Sequence, residues 1–221
     1  MNEHSFNLFP IFFSGVDTGM RDKTNDKYQR ILEASVHVFA DRGFHQSTVS
    51  QIAKKAGVAD GTIYLYFKNK EDILVQIFNY KTKRIFERFR EVVNSADSPI
   101  EKLRNLIRSH LQEFQQDKNL AVVYLAETRQ INRVMEDQIK IMSKMYFDLV
   151  AEILEQGQQN GSFRKALYLG LVKRHILGSV DEVISTWLHA DEKYDLISMA
   201  DPLVDLFING IGAKEARLWP S

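Results

Sequence analysis

The 221-residue chain contains no cysteine. That excludes disulfide staples, a thiol nucleophile and a cysteine-ligated zinc, and it fits a cytoplasmic protein. Proline is nearly as scarce. Pro10, Pro99, Pro202 and Pro220 are the only four, so little interrupts long helical stretches. No apolar run reaches the roughly 20 residues that a spanning helix needs, and no membrane partner is expected. Common enzyme signatures are missing too. The chain has no HExxH helix, no Gly-rich phosphate loop and no GxSxG elbow. Its six histidines (His4, His37, His45, His110, His175 and His189) share no metal-ligand spacing on a helix. The chain therefore reads as a non-enzyme, with no metal and no cofactor. A catalytic group assembled in space and a purely structural adaptor are the competing readings.

What is present is an ordinary globular composition, 44% apolar and 11% aromatic. That excludes a disordered or collagen-like chain. The 29 basic and 29 acidic side chains cancel. A zero total argues against nucleic acid only if the charges are evenly mixed. Here they are not. Residues 20–90 hold 14 bases and 8 acids, a net of +6. Residues 91–221 hold 15 and 19, a net of −4, and residues 1–19 carry only Glu3 and Asp17. A basic first part on an acidic remainder is a layout used for a DNA-binding head on a separate body.

Residues 1–19 are aromatic-rich and lack Lys and Arg. They do not fit a secretory signal, which needs a basic start and a longer apolar core. They read as a poorly ordered leader or extra upstream residues, with Met20 as the native start. The other reading is a functional arm packed on the body.

After Asn25 the apolar periodicity is helical throughout, which predicts an all-α protein. Nine helices are expected: about 25–41, 48–56, 59–67, 70–94, 99–116, 120–132, 134–159, 168–189 and 202–211. Ser98 before Pro99 and Asp201 before Pro202 read as N-caps with proline at the first helical position. The expected division is a DNA-binding head at 20–69 and a ligand-binding and dimerisation body at 70–221.

The densest signal lies at residues 47–72, STVSQIAKKAGVADGTIYLYFKNKED. Two short helices flank Ala56-Gly57-Val58. Ser47 caps the first in this reading, and Gly57 takes the left-handed turn. Val58 plugs the inside of the turn. This is the grammar of a helix-turn-helix, whose second helix enters the major groove by its N-terminal end. Ile63 and Phe67 face the core, while Thr62 and Tyr66 share another face. The hydroxyls of Tyr64 and Tyr66 suit phosphate oxygens. Lys70, at the start of the fourth helix behind Asn69, reads as a phosphate clamp.

The run FADRGFHQSTVSQIAKKAGVADGTIYLYFKNKEDIL resembles the TetR family of bacterial transcriptional regulators. The resemblance implies a three-helix head, a linking fourth helix, a ligand-sensing body, and a homodimer repressing at a palindromic double-stranded operator. It also implies DNA contacts at Thr48, Val49, Ser50, Ala59, Asp60, Gly61, Thr62, Tyr64, Tyr66 and Lys70. Asp60 is a departure: it either accepts from a cytosine amino group or caps its own helix. The segments YLAETRQINRVMEDQI and GSVDEVISTWLHADEKYDL resemble a narrower group, the fatty-acid-degradation repressors of Gram-positive bacteria. That implies long-chain acyl-CoA as the effector. The runner-up is another hydrophobic or aromatic, drug-like ligand.

In the body, the apolar candidates for lining a ligand site are Phe114, Val123, Tyr124 and Trp187. The polar ones are Glu127, Arg129, Gln130, Arg133, Asp181 and Ser185. Arg129 and Arg133, four apart, either pair with phosphates of a CoA head or form ordinary surface salt bridges. The family resemblance places Ile176, Val180, Val183, Ile184, Trp187, Leu203, Leu206 and Phe207 in a dimer interface.

Overall fold

The computed structural model describes residues 18–130, 133–190 and 194–210, with side chains from Asp26 onward. The described residues hold nine α-helices and no strand. They are α1 (Thr18–Arg42), α2 (Val49–Ala56), α3 (Asp60–Ile63), α4 (Lys70–Asn94) and α5 (Pro99–Gln116). Then come α6 (Lys118–Thr128), α7 (Glu136–Asn160), α8 (Leu169–His189), a 3-10 turn (Leu196–Met199) and α9 (Ala200–Asn209). The question of what residues 1–17 do lies outside the described residues.

The head is a small core closed by three helices. Ile31, Leu32, Val38 and Phe39 of α1 are buried, as are Ile52 and Ala53 of α2 and Ile63 and Phe67 of the α3 region. Gly43 ends α1 at φ 75° and donates its N–H to the Phe39 carbonyl at 2.9 Å. That left-handed turn suits glycine, which has no Cβ to clash.

Helix α4 joins head and body without a linker. Its first half buries Ile73, Leu74 and Ile77, and its second half buries Phe89 and Val93. Around it, α5 and α7 carry the body core with Leu103, Leu106, Ile107, Leu149, Val150 and Ile153. Burial of each such side chain is worth about 1.5–3 kcal/mol. A second route crosses between the two parts, because α1 packs directly against α6.

Five local expectations are corrected. Helix α1 starts at Thr18, ahead of Asn25, and the polar stretch 18–24 contains no proline to stop it. Ser47 is not the cap of α2. Its hydroxyl donates to the Gly43 carbonyl at 2.7 Å, and Thr48 is the N-cap. The α-helical part of α3 stops at Ile63 and continues in tighter i+3 bonds, Leu65 N–H to Thr62 O and Tyr66 N–H to Ile63 O. Those turns keep Phe67 in the core beside Ile63. Helix α6 ends at Thr128, whose hydroxyl bonds back to the Tyr124 carbonyl at 2.8 Å and competes with the helical ladder. Asp201 does not cap α9. The 3-10 turn feeds straight into that helix, and Asp201 instead pairs with Arg104 and Arg108 of α5 at 3.1 and 3.0 Å.

Candidate DNA-binding face and body cavity

The head presents two helix N-termini on one side of its sequence. At α2, Thr48 and Gln51 form a reciprocal capping box: the Gln51 N–H donates to Thr48 Oγ1 at 3.3 Å, and the Thr48 N–H to Gln51 Oε1 at 3.0 Å. Thr48 and Ser50 are exposed, and Val49 is half-buried. Gly57 sits at φ 66° and sets the turn. Arg30 of α1 donates to the Ala56 carbonyl at 2.6 Å, fixing the end of α2. At α3, Ala59, Asp60 and Gly61 are exposed and Thr62 is half-buried. Gly61 has open space where a Cβ would stand, so another backbone can approach closely.

The aromatic pair splits in two. Tyr64 is 59% exposed, whereas Tyr66 is half-buried and lies 6.3 Å from the ring of Tyr28. Asp60 is the first residue of α3, behind the N-cap Ala59, and makes no capping hydrogen bond. Leu65, 81% exposed, stands on the same surface and was missed. Its signal was its place between two tyrosines, two residues from each of the core positions Ile63 and Phe67.

Lys70 is corrected. Its ammonium donates to the carbonyls of Phe44 (2.8 Å), Ser47 (3.0 Å) and His45 (3.3 Å) and sits 4.5 Å over the Phe44 ring. All three of its donors are spent on the turn between α1 and α2. Lys70 is a strut of the head rather than a free phosphate clamp.

The body holds a partly open apolar cavity of about 50 Å³ between α4, α5, α6, α7 and α8. Phe78, Phe86 and Phe89 of α4 face Phe114, Leu120, Met142 and Leu177 across it. Polar groups also reach it. They are Lys81 and Thr82 of α4, His110 and Glu113 of α5, Tyr124 of α6, and Ser143 and Tyr146 of α7. Lys81 is paired with Asp117 at 2.8 Å, and Glu113 with Arg88. Burial raises the Glu113 carboxyl, while the charge and hydrogen bond of Arg88 oppose that rise. His110 is pushed down to about 3 by burial and stays neutral. The Tyr124 hydroxyl donates to Asp181, 3.2 and 3.3 Å from its two oxygens. Burial pushes Asp181 up to about 7, against the hydrogen bond from Tyr124 and the charge of Arg129.

Of the residues named from sequence, the cavity gathers Phe114 and Tyr124, with Asp181 behind Tyr124. Val123 and Glu127 are buried but do not line it. Ser185 is buried, and its carbonyl accepts from His189 Nδ1 at 2.7 Å. Trp187 is also buried away from the cavity, its indole N–H bonded to the Tyr194 carbonyl at 3.0 Å. Arg129 pairs with Glu182 at 2.9 Å, which is the surface-bridge reading. Gln130 and Arg133 are exposed and do not line the cavity. The supposed dimer contacts need revision as well. Ile176, Val180, Ile184, Trp187 and Leu203 are consumed by the protomer's own core, whereas Leu206 is 48% exposed.

Sequence reasoning missed the α4 phenylalanines and the pair His110–Tyr146. Phe78, Phe86 and Phe89 had shown only helical core spacing. Among the described residues, no group of His, Asp and Glu is arranged to hold a metal, and no helix is long and apolar enough to cross a membrane.

Comparison with known proteins places these two regions in two models. Residues 31–77 match the bacterial regulatory proteins of the tetR family, and residues 78–210 match the C-terminal region of the YsiA-like proteins. The fatty acid metabolism regulator protein of Bacillus subtilis is 42% identical over 188 residues, covering 85% of this chain and 97% of its own length. The crystal structure of the regulator FadR from Bacillus subtilis in complex with stearoyl-CoA superposes with a TM-score of 0.79. It covers 84% of this chain and all of the other at 42% identity. FadR of Bacillus halodurans, a fatty acid degradation regulator, gives 0.78 at 40% identity, again covering 84% of this chain and all of the other.

Proposed function

The chain belongs to the TetR family of bacterial regulatory proteins, and from that premise we propose a homodimeric repressor released from its operator by long-chain acyl-CoA. Its role is the control of fatty-acid degradation. The heads grip two half-sites through Thr48, Val49, Ser50, Ala59, Asp60, Gly61, Thr62, Tyr64 and Tyr66. The dimer forms on the outer face of α8 and α9, where Leu171, Leu206 and the half-buried Phe207 leave apolar surface. The acyl chain is the ligand of choice because a 42% identical relative holds stearoyl-CoA.

One observation carries the mechanism. The same helix that begins in the head, α4, supplies three phenylalanines to the cavity wall. A volume of about 50 Å³ has room for a few water molecules, at about 10–15 Å³ each, and not for a long alkyl chain. A long acyl chain therefore enters only by displacing those rings, and α4 and α6 move with the wall. Helix α6 contributes Leu120 and Tyr124 to the wall and leans on α1 of the head. Ligand binding thus favours one head spacing over another, which is the differential affinity that induction requires.

The test is fluorescence anisotropy of labelled operator DNA at fixed salt. Micromolar stearoyl-CoA is expected to release the DNA, and free CoA is expected to leave it bound. Retention of DNA with acyl-CoAs of every length, and release by an aromatic compound instead, would replace acyl-CoA with the drug-like class of ligand.

A further inference from the structure

An alkyl chain needs only apolar walls, yet the cavity contains a buried polar pair that nothing so far explains. His110 on α5 and Tyr146 on α7 both line it, 5% and 3% exposed. His110 Nδ1 lies 3.4 Å from the Tyr146 hydroxyl, and the rings are 5.3 Å apart. Phe89 and Phe114 flank the imidazole at 5.5 and 5.3 Å.

The pair does not balance its own hydrogen bonds. A neutral imidazole brings one N–H, and the phenol brings one O–H. Their mutual bond consumes one of these two donors. If Tyr146 donates to Nδ1, the proton on Nε2 is left over. If Nδ1 donates to Tyr146, the phenolic proton is left over. Among the described residues no other hydrogen-bond partner is recorded for either side chain. Whichever tautomer is present, one donor therefore remains for whatever fills the cavity. An alkyl chain laid over that donor would bury it without an acceptor, which is costly, so a purely alkyl occupant would be a poor match.

We propose that the His110–Tyr146 pair reads the thioester carbonyl oxygen of the acyl ligand and so fixes where the chain begins in the cavity. The inference rests on the acyl-CoA reading above and makes the pair a specificity determinant for it. Chain length is then measured from a fixed polar point. The carbonyl is the acceptor of choice because every acyl thioester carries one, whatever its chain length.

The experiment compares stearoyl-CoA with S-octadecyl-CoA, the thioether that keeps the chain and the CoA but lacks the carbonyl oxygen. Both are titrated by calorimetry against the full-length protein. The thioester is expected to bind about tenfold more tightly, as one buried hydrogen bond would give. The double variant His110→Phe/Tyr146→Phe removes both donors and is expected to bring that ratio close to one. The single variant Tyr146→Phe leaves the imidazole N–H and is expected to keep the preference. Equal binding of the two ligands to the unaltered protein overturns the proposal while leaving acyl-CoA sensing intact. So does a preference that survives in a folded double variant. Failure of both ligands to bind overturns the acyl-CoA reading itself and this inference with it. The comparison on the unaltered protein decides the matter even if the double variant does not fold.

Discussion

The two functional regions are built in opposite ways. The candidate DNA-binding face is assembled within residues 48–66, and most of its side chains point into solvent. The cavity is assembled from five helices between Phe78 and Leu177, and many of its side chains are core. In the head, function sits on top of stability. In the body, the groups that would touch a ligand are the ones that hold the helices together. Substitutions should therefore separate binding from folding in the head and fail to separate them in the body.

The largest effect is expected in the cavity wall. Phe89 is 1% exposed and packs against Phe86, His110 and Tyr146. Phe89→Ala is expected to cost about 3–5 kcal/mol and to weaken ligand response together with stability. Urea unfolding measures this. A variant as stable as the parent would mean that the wall is not core, and the contrast would collapse.

Lys70 tests the other side of the comparison from within the head. Tied to three carbonyls, it belongs with the buried framework despite its charge. Lys70→Met is expected to cost about 1–3 kcal/mol through the orphaned carbonyls. The dependence of operator affinity on salt should hardly change. A slope that falls by about 0.9 with unaltered stability would return Lys70 to the phosphate-contacting set.

Asp181 sharpens the body side through pH. Its carboxyl is held up near 7 by burial, against about 3.9 in an unfolded chain. The folded state thus binds the proton more tightly. The stability this group supplies is complete below about pH 4 and is lost as pH rises through about 7. Asp181→Asn removes that loss, and about 1–2 kcal/mol of stabilisation is expected at pH 8 and little at pH 4. His110 works in the other direction: its neutral buried form favours the fold above about pH 6.5 and destabilises it as pH falls toward 3. Thermal melts of the parent and of Asp181→Asn across pH 4–8 check the sign. Parallel curves would place Asp181 in water.

The same contrast explains what could be read in advance. Gly57, Ile63, Phe67 and the Asn69 cap of α4 act over a few residues, so spacing alone reveals them. Both ends of α4 and α5 and the end of α7 were legible for that reason, through Asn69, Ser98-Pro99 and Gly161. The cavity was not, because Phe89, His110 and Tyr146 meet only after three helices pack. Each on its own helix is an ordinary core position. Trp187 misled, and Arg129 stayed open between two readings, for the matching reason. A bulky indole or a free guanidinium invites a ligand, and only the fold shows that Tyr194 and Glu182 have claimed them. Lys70 failed more instructively, since its helix-terminal position suits a phosphate and the neighbouring turn took its donors first.

Tyr64 offers the smallest and cleanest test. At 59% exposure its hydroxyl touches nothing recorded in the fold, so Tyr64→Phe should leave the melting temperature unchanged. One neutral hydrogen bond to a phosphate is worth about 0.5–1.5 kcal/mol net, which predicts a severalfold loss of operator affinity. Phosphate contacts carry no base information, so the loss should be similar for the operator and for a scrambled duplex. An unchanged affinity would move the contact to the neighbouring Leu65 or Tyr66 surface. A loss confined to the operator would make Tyr64 a reader of base edges. In either case the head would still lose binding without losing stability, which Phe89 is not expected to do.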